Sequence, residues 1–382
     1  STSVFFGANK NTVSRELIRF VGNDFIVPGL EDFSNTANQS SKDIFGVDAD
    51  FPGYGKKNIG SLYGSVEFTY DNWVYLTVTG RNDWFSTLSY PGKSTPNNDF
   101  YPSVNASLIL SEAFEMPETI NFLKLRGGYS EVAGGAQDPY QLALSYQIFG
   151  QGHLGQPLGN ISNGSVPNAN LVAFSKSEFE IGVDARMFAN RLSIDLAYYK
   201  NNTTNDIVTV AASVFSGYPS ALANIGVLGN KGIEFLISGT PIQTDHFRWN
   251  TSINGAYNES KIIATNEENG EILLGEPRSQ NAAIKQIVGQ PFGTIVGVSY
   301  VRDNGGNIVY DIDGNGVPLA QEGERKILGV RIPSLTLWLT NTFMYKDFTL
   351  RCLIEGKFGW QIFLGTNGTL YGNGCYKATL YG

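Results

Sequence analysis

The chain has 382 residues, of which 42% are hydrophobic, 13% are aromatic and only 16% are charged, against roughly 25% charged residues in an ordinary soluble domain. The net charge of −8 and the pI near 5.0 argue against a nucleic-acid partner, because binding to phosphates needs a basic surface. With 2 Cys and 2 His, the chain has too few ligands for a disulfide scaffold or a four-cysteine zinc site.

Apolar and polar residues alternate with a period of two in many segments, which predicts half-buried antiparallel strands. In one of them, Leu192, Ile194 and Leu196 alternate with Ser193 and Asp195. In chain order, the predicted strands are 62–70, 73–82, 100–111, 121–131, 178–188, 191–201, 225–239, 247–258, 333–345 and 348–358. Most are about twice as long as the usual strand of a soluble protein.

The connections between these strands are alternately short and long. The short ones are 71–72, 112–120, 189–190, 240–246 and 346–347, and the long ones are 83–99, 132–177, 202–224 and 259–332. Outer-membrane barrels have short periplasmic turns and long extracellular loops, so this alternation predicts a transmembrane β-barrel. No apolar run is long enough for a transmembrane helix, but a transmembrane strand needs only about 9–11 residues.

A barrel fixes the direction of each side chain. We expect Leu192, Ile194 and Leu196 to face lipid, and Ser193 and Asp195 to face the lumen. Aromatic residues flank the predicted short turns, as they do at the membrane boundary of such barrels. A soluble β-sandwich shows the same alternation, with core and solvent in place of lipid and lumen, and is the alternative fold.

Several segments, in this order and spacing, resemble the SusC/RagA-type TonB-dependent outer-membrane transporters. They are Ser61–Gly64, Leu76–Trp84, Phe100–Val104, Leu110–Phe114, Leu123–Tyr129, Gly229–Glu234, Gly289–Gly293, Asp313–Gly316 and Tyr345–Phe348. The resemblance implies an all-β antiparallel barrel segment of about ten long strands, and it does not extend to a TonB box, a plug domain or the first half of the barrel. Because large barrels of this class have 22 strands, we expect the chain to be part of a larger barrel.

The resemblance also implies a domain arrangement and partners. Residues 59–365 would form the C-terminal half of the receptor barrel, residues 1–58 an extracellular loop region, and the Gly-rich residues 366–382 stay unassigned. The implied function is TonB-dependent nutrient import through the Gram-negative outer membrane, without enzymatic activity. The implied partners are outer-membrane lipid, a SusD-like surface lipoprotein and a TonB complex reached through an N-terminal part. The implied cargo is an oligosaccharide or, less often, a peptide.

Aromatic residues of the predicted long loops are candidates for cargo binding. Trp84, Tyr90 and Tyr218 are the candidate substrate-binding residues, because aromatic faces stack on the C–H surfaces of sugars. The alternative for each is a solvated loop residue without a ligand role. The alternative function is a soluble β-rich carbohydrate-binding or glycoside-hydrolysing protein, but no pair of carboxylates stands out for hydrolysis.

The segment Asp311–Glu322 has the spacing of a calcium-binding loop. Asp311, Asp313, Asn315 and Glu322 would supply side-chain oxygens, and Val317 a backbone carbonyl. Because every candidate ligand is a hard oxygen, the expected ion is Ca²⁺ rather than Zn²⁺. The alternative is an Asp-, Gly- and Asn-rich turn of a β-hairpin, with Ile308–Tyr310 as one arm.

Overall fold

The computed structural model describes residues 1–382 except 18, 43–52, 91, 94, 143–145, 150–155, 157, 162–164, 212–214, 216–217, 219, 266–269, 276–281, 313–317, 376 and 378–382. In chain order the strands are β1 (Thr2–Leu17), β2 (Arg19–Phe25), β3 (Thr36–Lys42), β4 (Gly53–Tyr70), β5 (Val74–Phe85), β6 (Asn98–Ile109), β7 (Ile120–Gly134), β8 (Tyr146–Phe149), β9 (Leu158–Ile161), β10 (Ser165–Val166), β11 (Phe174–Met187), β12 (Leu192–Ala211), β13 (Ser220–Gln243), β14 (Phe247–Ala264), β15 (Glu271–Gly275), β16 (Ala282–Ile287), β17 (Thr294–Tyr300), β18 (Tyr310–Ile312), β19 (Pro318–Ala320), β20 (Glu322–Val330), β21 (Leu335–Tyr345) and β22 (Phe348–Phe358). The described helices are short: α1 (Leu110–Ala113), α2 (Gly365–Gly372) and the 3₁₀ turns Phe33–Asn35 and Ser86–Leu88. None of them has the length and apolarity that crossing a membrane requires.

Most of the long strands lie in one antiparallel sheet. Its order is β1-β4-β5-β6-β7-β11-β12-β13-β14-β21-β22, and β10 joins it beside β13 as a parallel strand. All ten strands predicted from the alternation are present, as β4–β7, β11–β14, β21 and β22. The predicted antiparallel architecture with about ten long strands is therefore confirmed.

The connections at one end of this sheet are short. They comprise 71–73, 110–119, 188–191, 244–246 and 346–347. At the turn after β4, Asp71 and Asn72 have φ of 45° and 57°, the pair of left-handed residues that a tight hairpin with right-handed strand twist requires. The connections at the opposite end, apart from 212–219, are longer: 18–52, 86–97, 135–173 and 265–334.

Two predicted loop regions are partly strand. Residues 1–58 were expected to be an extracellular loop region, but β1 pairs with β4 along its whole length, from Thr2 opposite Phe68 to Leu17 opposite Gly53. The sequence of β1 hides this, because Phe5 and Phe6 lie on opposite faces and polar residues follow on both faces. The predicted loop 202–224 is also largely strand, since β12 and β13 extend to 20 and 24 residues.

The long connection between β14 and β21 carries a sheet of its own. The strands β15, β16, β17 and β20 form this four-stranded antiparallel sheet. Sequence patterns did not predict it, because these strands are only 5 to 9 residues long and their apolar residues do not alternate strictly. The segment after β22 packs near this sheet, with Gln361 N donating to the Val330 carbonyl oxygen at 2.8 Å.

One face of the main sheet, called the apolar face below, is aliphatic and aromatic. Residues paired across neighbouring strands share a face, and one such row runs through Val74, Leu108, Leu125, Val183, Leu196 and Phe235. Many side chains of this face are exposed, including Leu62, Val66, Phe68, Leu76, Val78, Val104, Leu125, Ile181, Leu196, Ile233, Leu350 and Ile354. No second layer covers them in the described part of the chain, so a soluble sandwich with this face as its core is excluded.

Aromatic residues lie towards both edges of the apolar face. Tyr129, Phe179, Tyr198 and Tyr257 lie towards the end with the long connections, and all four are exposed. At the other end, the Trp249 ring stacks on Phe343 with ring centroids 5.9 Å apart. On β14, Trp249 and Tyr257 are eight residues apart, roughly 26 Å at about 3.3 Å per residue. This is the apolar band of a membrane barrel with its two aromatic girdles.

Candidate functional site

The opposite face of the sheet, called the polar face below, carries charged and amide side chains. Arg126 on β7 lies at its centre. Arg126 Nη2 donates to Asp195 Oδ1 at 2.8 Å, and Arg126 Nε donates to Glu180 Oε1 at 3.3 Å. This one guanidinium therefore connects β7 with β11 and β12. Asp195 lies on the polar face and Leu196 is exposed on the apolar face, as the alternation predicts.

A second polar cluster lies closer to the long connections. Arg81 donates from Nε to Asp83 Oδ1 and from Nη2 to Ser61 Oγ, both at 2.8 Å. Tyr101 Oη donates to the other Asp83 oxygen at 2.6 Å. Asp83 is buried, so its carboxylate depends on these partners rather than on water. The cluster joins β4, β5 and β6.

A tryptophan also lies on the polar face, at a point the sequence analysis did not single out. Trp338 on β21 pairs with Asn254 on β14 and with Glu355 on β22. It lines a cavity of about 470 Å³ together with Asp195, Glu234, Leu236, Asn254 and Arg126. The signal in the sequence is its parity, because Trp338 falls between Thr336 and Thr340 on the polar side of β21.

At the end of the sheet with the long connections, the connections 86–97 and 135–173 pack with the adjoining strand ends into a small core. The buried residues of this core are Phe85, Leu88, Ala133, Ala136, Leu142, Leu171 and Leu222. Gly135 allows a close approach there, since a Cβ at this position would lie 2.6 Å from Thr87 Oγ1. A cavity of about 420 Å³ lies beside the core, with Lys57, Asp83 and Asp206 among its lining residues.

Lys93 links the connection 86–97 to the connection 135–173 by hydrogen bonds. Its ammonium donates to the carbonyl oxygen of Leu88 at 2.8 Å and to that of Leu171 at 2.5 Å. Both leucines are fully buried. Desolvation lowers the pKa of Lys93 below its ordinary value, because burial disfavours the charged form. The connections 86–97 and 135–173 are therefore packed against each other and do not behave as two independent loops.

The three predicted substrate-binding aromatics belong to different segments of the chain. Trp84 is not in a loop: it is the last but one residue of β5 and, by the register with Gly60 and Asn98, lies on the side of the sheet opposite to Asp83. Tyr90 is exposed in the connection after β5. Tyr218 is half-buried between β12 and β13. The register thus separates Trp84 from the polar face, and cargo binding by each of the three residues stays a prediction.

The predicted calcium loop lies in a hairpin. The strands β18 and β19 pair with Asp311 opposite Leu319, and Gln321 Nε2 donates to Asp311 Oδ2 at 2.7 Å. Asp313, Asn315 and Val317 lie outside the described residues, and Glu322 is exposed at the start of β20. Paired strands on both sides of 313–317 are the arrangement that the alternative interpretation expects, but the arm is Tyr310–Ile312 rather than Ile308–Tyr310, and calcium binding stays a prediction. Within the described part of the chain, no group of three His, Cys, Asp or Glu side chains forms a metal site.

Comparison with known proteins places the whole sheet in one family. Residues 3–368 match the family described as TonB dependent receptor-like, beta-barrel. The chain is 27% identical to TonB-dependent receptor P26 of Formosa agariphila over 94% of this chain and 37% of that protein. It is 22% identical to TonB-dependent receptor SusC of Bacteroides thetaiotaomicron over 84% of this chain and 33% of that protein.

Solved structures give the same result for the fold. The RagAB peptide importer in its closed-closed state matches with a TM-score of 0.75 and 17% identity, over 94% of this chain and 39% of that chain. The chain thus spans between about a third and two fifths of the length of these relatives.

Proposed function

The chain belongs to the TonB-dependent receptor-like β-barrel family and forms part of an outer-membrane barrel, and from this premise we propose that the complete protein imports oligosaccharides or peptides across the outer membrane. A TonB complex supplies the energy for this import. A SusD-like surface lipoprotein covers the extracellular side. The relatives are receptors and transporters rather than enzymes, so the alternative of a glycoside-hydrolysing protein is set aside.

The division of the sheet into two faces carries the proposal. The apolar face has the exposed aliphatic band and aromatic edges that lipid contact requires. The polar face carries Arg81, Arg126, Glu180 and Asp195, which are suited to a water-filled lumen and to polar cargo. The long connections lie at one end, and two of them pack into a core above the polar face. In this family's orientation that end is extracellular, where cargo and a covering lipoprotein would meet it.

The relatives support two cargo classes. RagAB is named as a peptide importer, and the charged residues Lys57 and Asp206 around the cavity beside the loop core match peptide termini and side chains. Oligosaccharides match the hydroxyl, amide and aromatic groups of the polar face. We place oligosaccharides first, since the amide of Asn254, the carboxylate of Glu234 and the indole of Trp338 lie around one cavity and match sugar hydroxyl groups and ring faces.

Uptake by cells tests the function. Cells expressing the complete protein with its neighbouring lipoprotein should accumulate labelled oligosaccharides from a fixed panel, or labelled peptides, and this uptake should stop when TonB is deleted. The lipoprotein should co-purify with the barrel in detergent. Uptake that persists without TonB, or a complete protein that transports neither panel, would overturn the proposal.

A further inference from the structure

The surroundings of Trp338 on the polar face combine an aromatic surface with free hydrogen-bonding groups. Trp338 is half-buried, and Asn254 on β14 and Glu355 on β22 lie directly opposite it on the neighbouring strands. In the described part of the chain, no side chain hydrogen-bonds to the side-chain amide of Asn254 or to the carboxylate of Glu234. Both groups line the same cavity as Trp338. Within this part of the barrel, neither group is committed to another side chain.

The charged neighbours leave this cavity mildly acidic. Arg126 is held by Asp195 and Glu180, so its positive charge is already matched by two carboxylates. Glu234 adds negative charge near Trp338, whereas the carboxylate of Glu355 is paired with the ammonium of Lys357 at 2.9 Å. An acidic ligand is therefore disfavoured, because it would bring like charges together. A neutral ligand is not repelled by this charge, and its hydroxyl groups can form hydrogen bonds with the amide, the carboxylate and the indole N–H.

The cavity lies in the extracellular half of the barrel wall. Arg126, Asp195 and Asn254 each lie three residues along their strands from Tyr129, Tyr198 and Tyr257 of the extracellular aromatic edge. The residue that pairs with Tyr257 on β21 is Leu335, again three residues from Trp338. Three residues correspond to roughly 10 Å along a strand. Cargo entering from outside reaches this depth before the periplasmic edge, where Trp249 lies.

We propose that this cavity is a sugar-binding subsite of the import path, with a pyranose ring stacked on Trp338 and its hydroxyl groups bound by Asn254, Glu234 and the Asp195–Arg126 pair. The cavity is an open depression of about 470 Å³ on the polar face, a volume within the range of small-ligand sites, roughly 300–1,000 Å³. The subsite deepens the proposed function and rests on it: the cargo that it assigns is a neutral rather than an acidic oligosaccharide.

The alternative to a sugar in this cavity is a segment of the complete protein itself, because large barrels of this class carry a plugged lumen. A polypeptide packed on Trp338 would bury the indole permanently. The two occupants differ in what a truncation of Trp338 changes. A plug contact changes the stability of the complete protein and leaves cargo affinity alone, whereas a sugar subsite changes cargo affinity.

Calorimetric titration of the complete, detergent-purified protein tests the subsite. The probes are neutral tetrasaccharides to hexasaccharides of glucose, xylose, mannose or galactose, a galacturonate oligomer of equal length, and a lysine-rich peptide. For the neutral oligosaccharide that binds wild type, Trp338→Ala should weaken binding about tenfold or more, and Trp338→Phe should stay within about threefold of wild type. Asn254→Ala and Glu234→Gln should each weaken binding about threefold to tenfold, which keeps the test valid if Trp338→Ala does not fold.

Trp73→Ala is the matched control, because Trp73 lies in the short turn 71–73 at the other end of the sheet, and its affinity should equal that of wild type. Neutral sugar binding that Trp338→Ala, Asn254→Ala and Glu234→Gln all leave unchanged would overturn the subsite and leave sugar import standing. Binding of only the peptide or only the acidic oligomer would overturn the subsite, while import would stand. A protein that binds no probe and transports none would overturn both.

Discussion

An arginine placed at mid-depth on the apolar face should destabilise the barrel strongly. Ile253 lies four residues from Trp249 and four from Tyr257 on β14, about 13 Å along the strand from each aromatic edge. Its paired neighbours Ile237 and Leu339 are aliphatic. Ile253→Arg should therefore cost about 2–4 kcal/mol, the range for a lipid-facing arginine at the bilayer midplane.

The adjacent residue on the same strand provides the control. Ser252 pairs with Ser238 and Thr340 on the polar face, where an introduced guanidinium stays hydrated. Ser252→Arg should therefore cost less than about 1 kcal/mol. Ile194→Arg should give an intermediate value, since Ile194 is only two residues from the start of β12 at Leu192 and the cost falls towards the membrane edges.

Urea unfolding of the complete protein in phospholipid vesicles measures these differences, with the tryptophan fluorescence as the signal. The expected order of destabilisation is Ile253→Arg, then Ile194→Arg, then Ser252→Arg. Equal losses for Ile253→Arg and Ser252→Arg would refute the assignment of the two faces. A larger loss for Ser252→Arg would show that the polar face is the one in lipid.

Three further predictions concern the extracellular connections. Lys93→Met removes both hydrogen bonds to the Leu88 and Leu171 carbonyl oxygens. Because about 1 kcal/mol of local stability is lost, amide hydrogen exchange in 86–97 should become about fivefold to tenfold faster. Unchanged exchange would show that the ammonium does not hold the two connections together. Shortening the connection 135–173 should impair lipoprotein docking or uptake while the barrel still assembles, and a shortened protein that fails to reach the outer membrane would contradict this. Calcium at about 10⁻⁴–10⁻³ M should protect the segment Asp311–Glu322 from proteolysis, and this protection should be lost in a Glu322→Gln variant; equal cleavage with calcium and with a chelator would end the calcium hypothesis.

The sequence alone was enough to predict the ten long strands and the side on which the short turns lie. Both depend on local features: the alternation within a strand, as in Leu192–Leu196, and the turn residues between strands, such as Asp71 and Asn72. It did not predict β1, where Phe5 and Phe6 interrupt the alternation. That strand forms because β4 supplies hydrogen-bonding partners for its entire length.

The candidate site was largely beyond the reach of sequence reasoning. Trp84 belongs to the right residue type for sugar stacking, but a single step along β5 puts it on the opposite side of the sheet from Asp83. Trp338 has the same side chain and lies on the polar face, yet nothing in its neighbouring sequence joins it to a ligand site. Trp84 and Trp338 differ in the face of the sheet on which they lie, because successive residues of a strand point to opposite faces. This difference can be related to function only when it is known which face lines the lumen.

By itself, then, the sequence determined the positions of the ten predicted strands along the chain and the division of each into an apolar and a polar side, because these follow from a period of two within a few residues. Where the longest strands end was decided by pairing with their neighbours, as in β12 and β13. Only the tertiary structure decided which side chains meet. Register brings Arg126 of β7 to Asp195 of β12 across the intervening β11, and it places Trp338 beside Asn254. Such contacts join residues far apart in the chain. Their partners are set by the hydrogen-bond ladder of the sheet, and no local pattern of residues encodes that ladder.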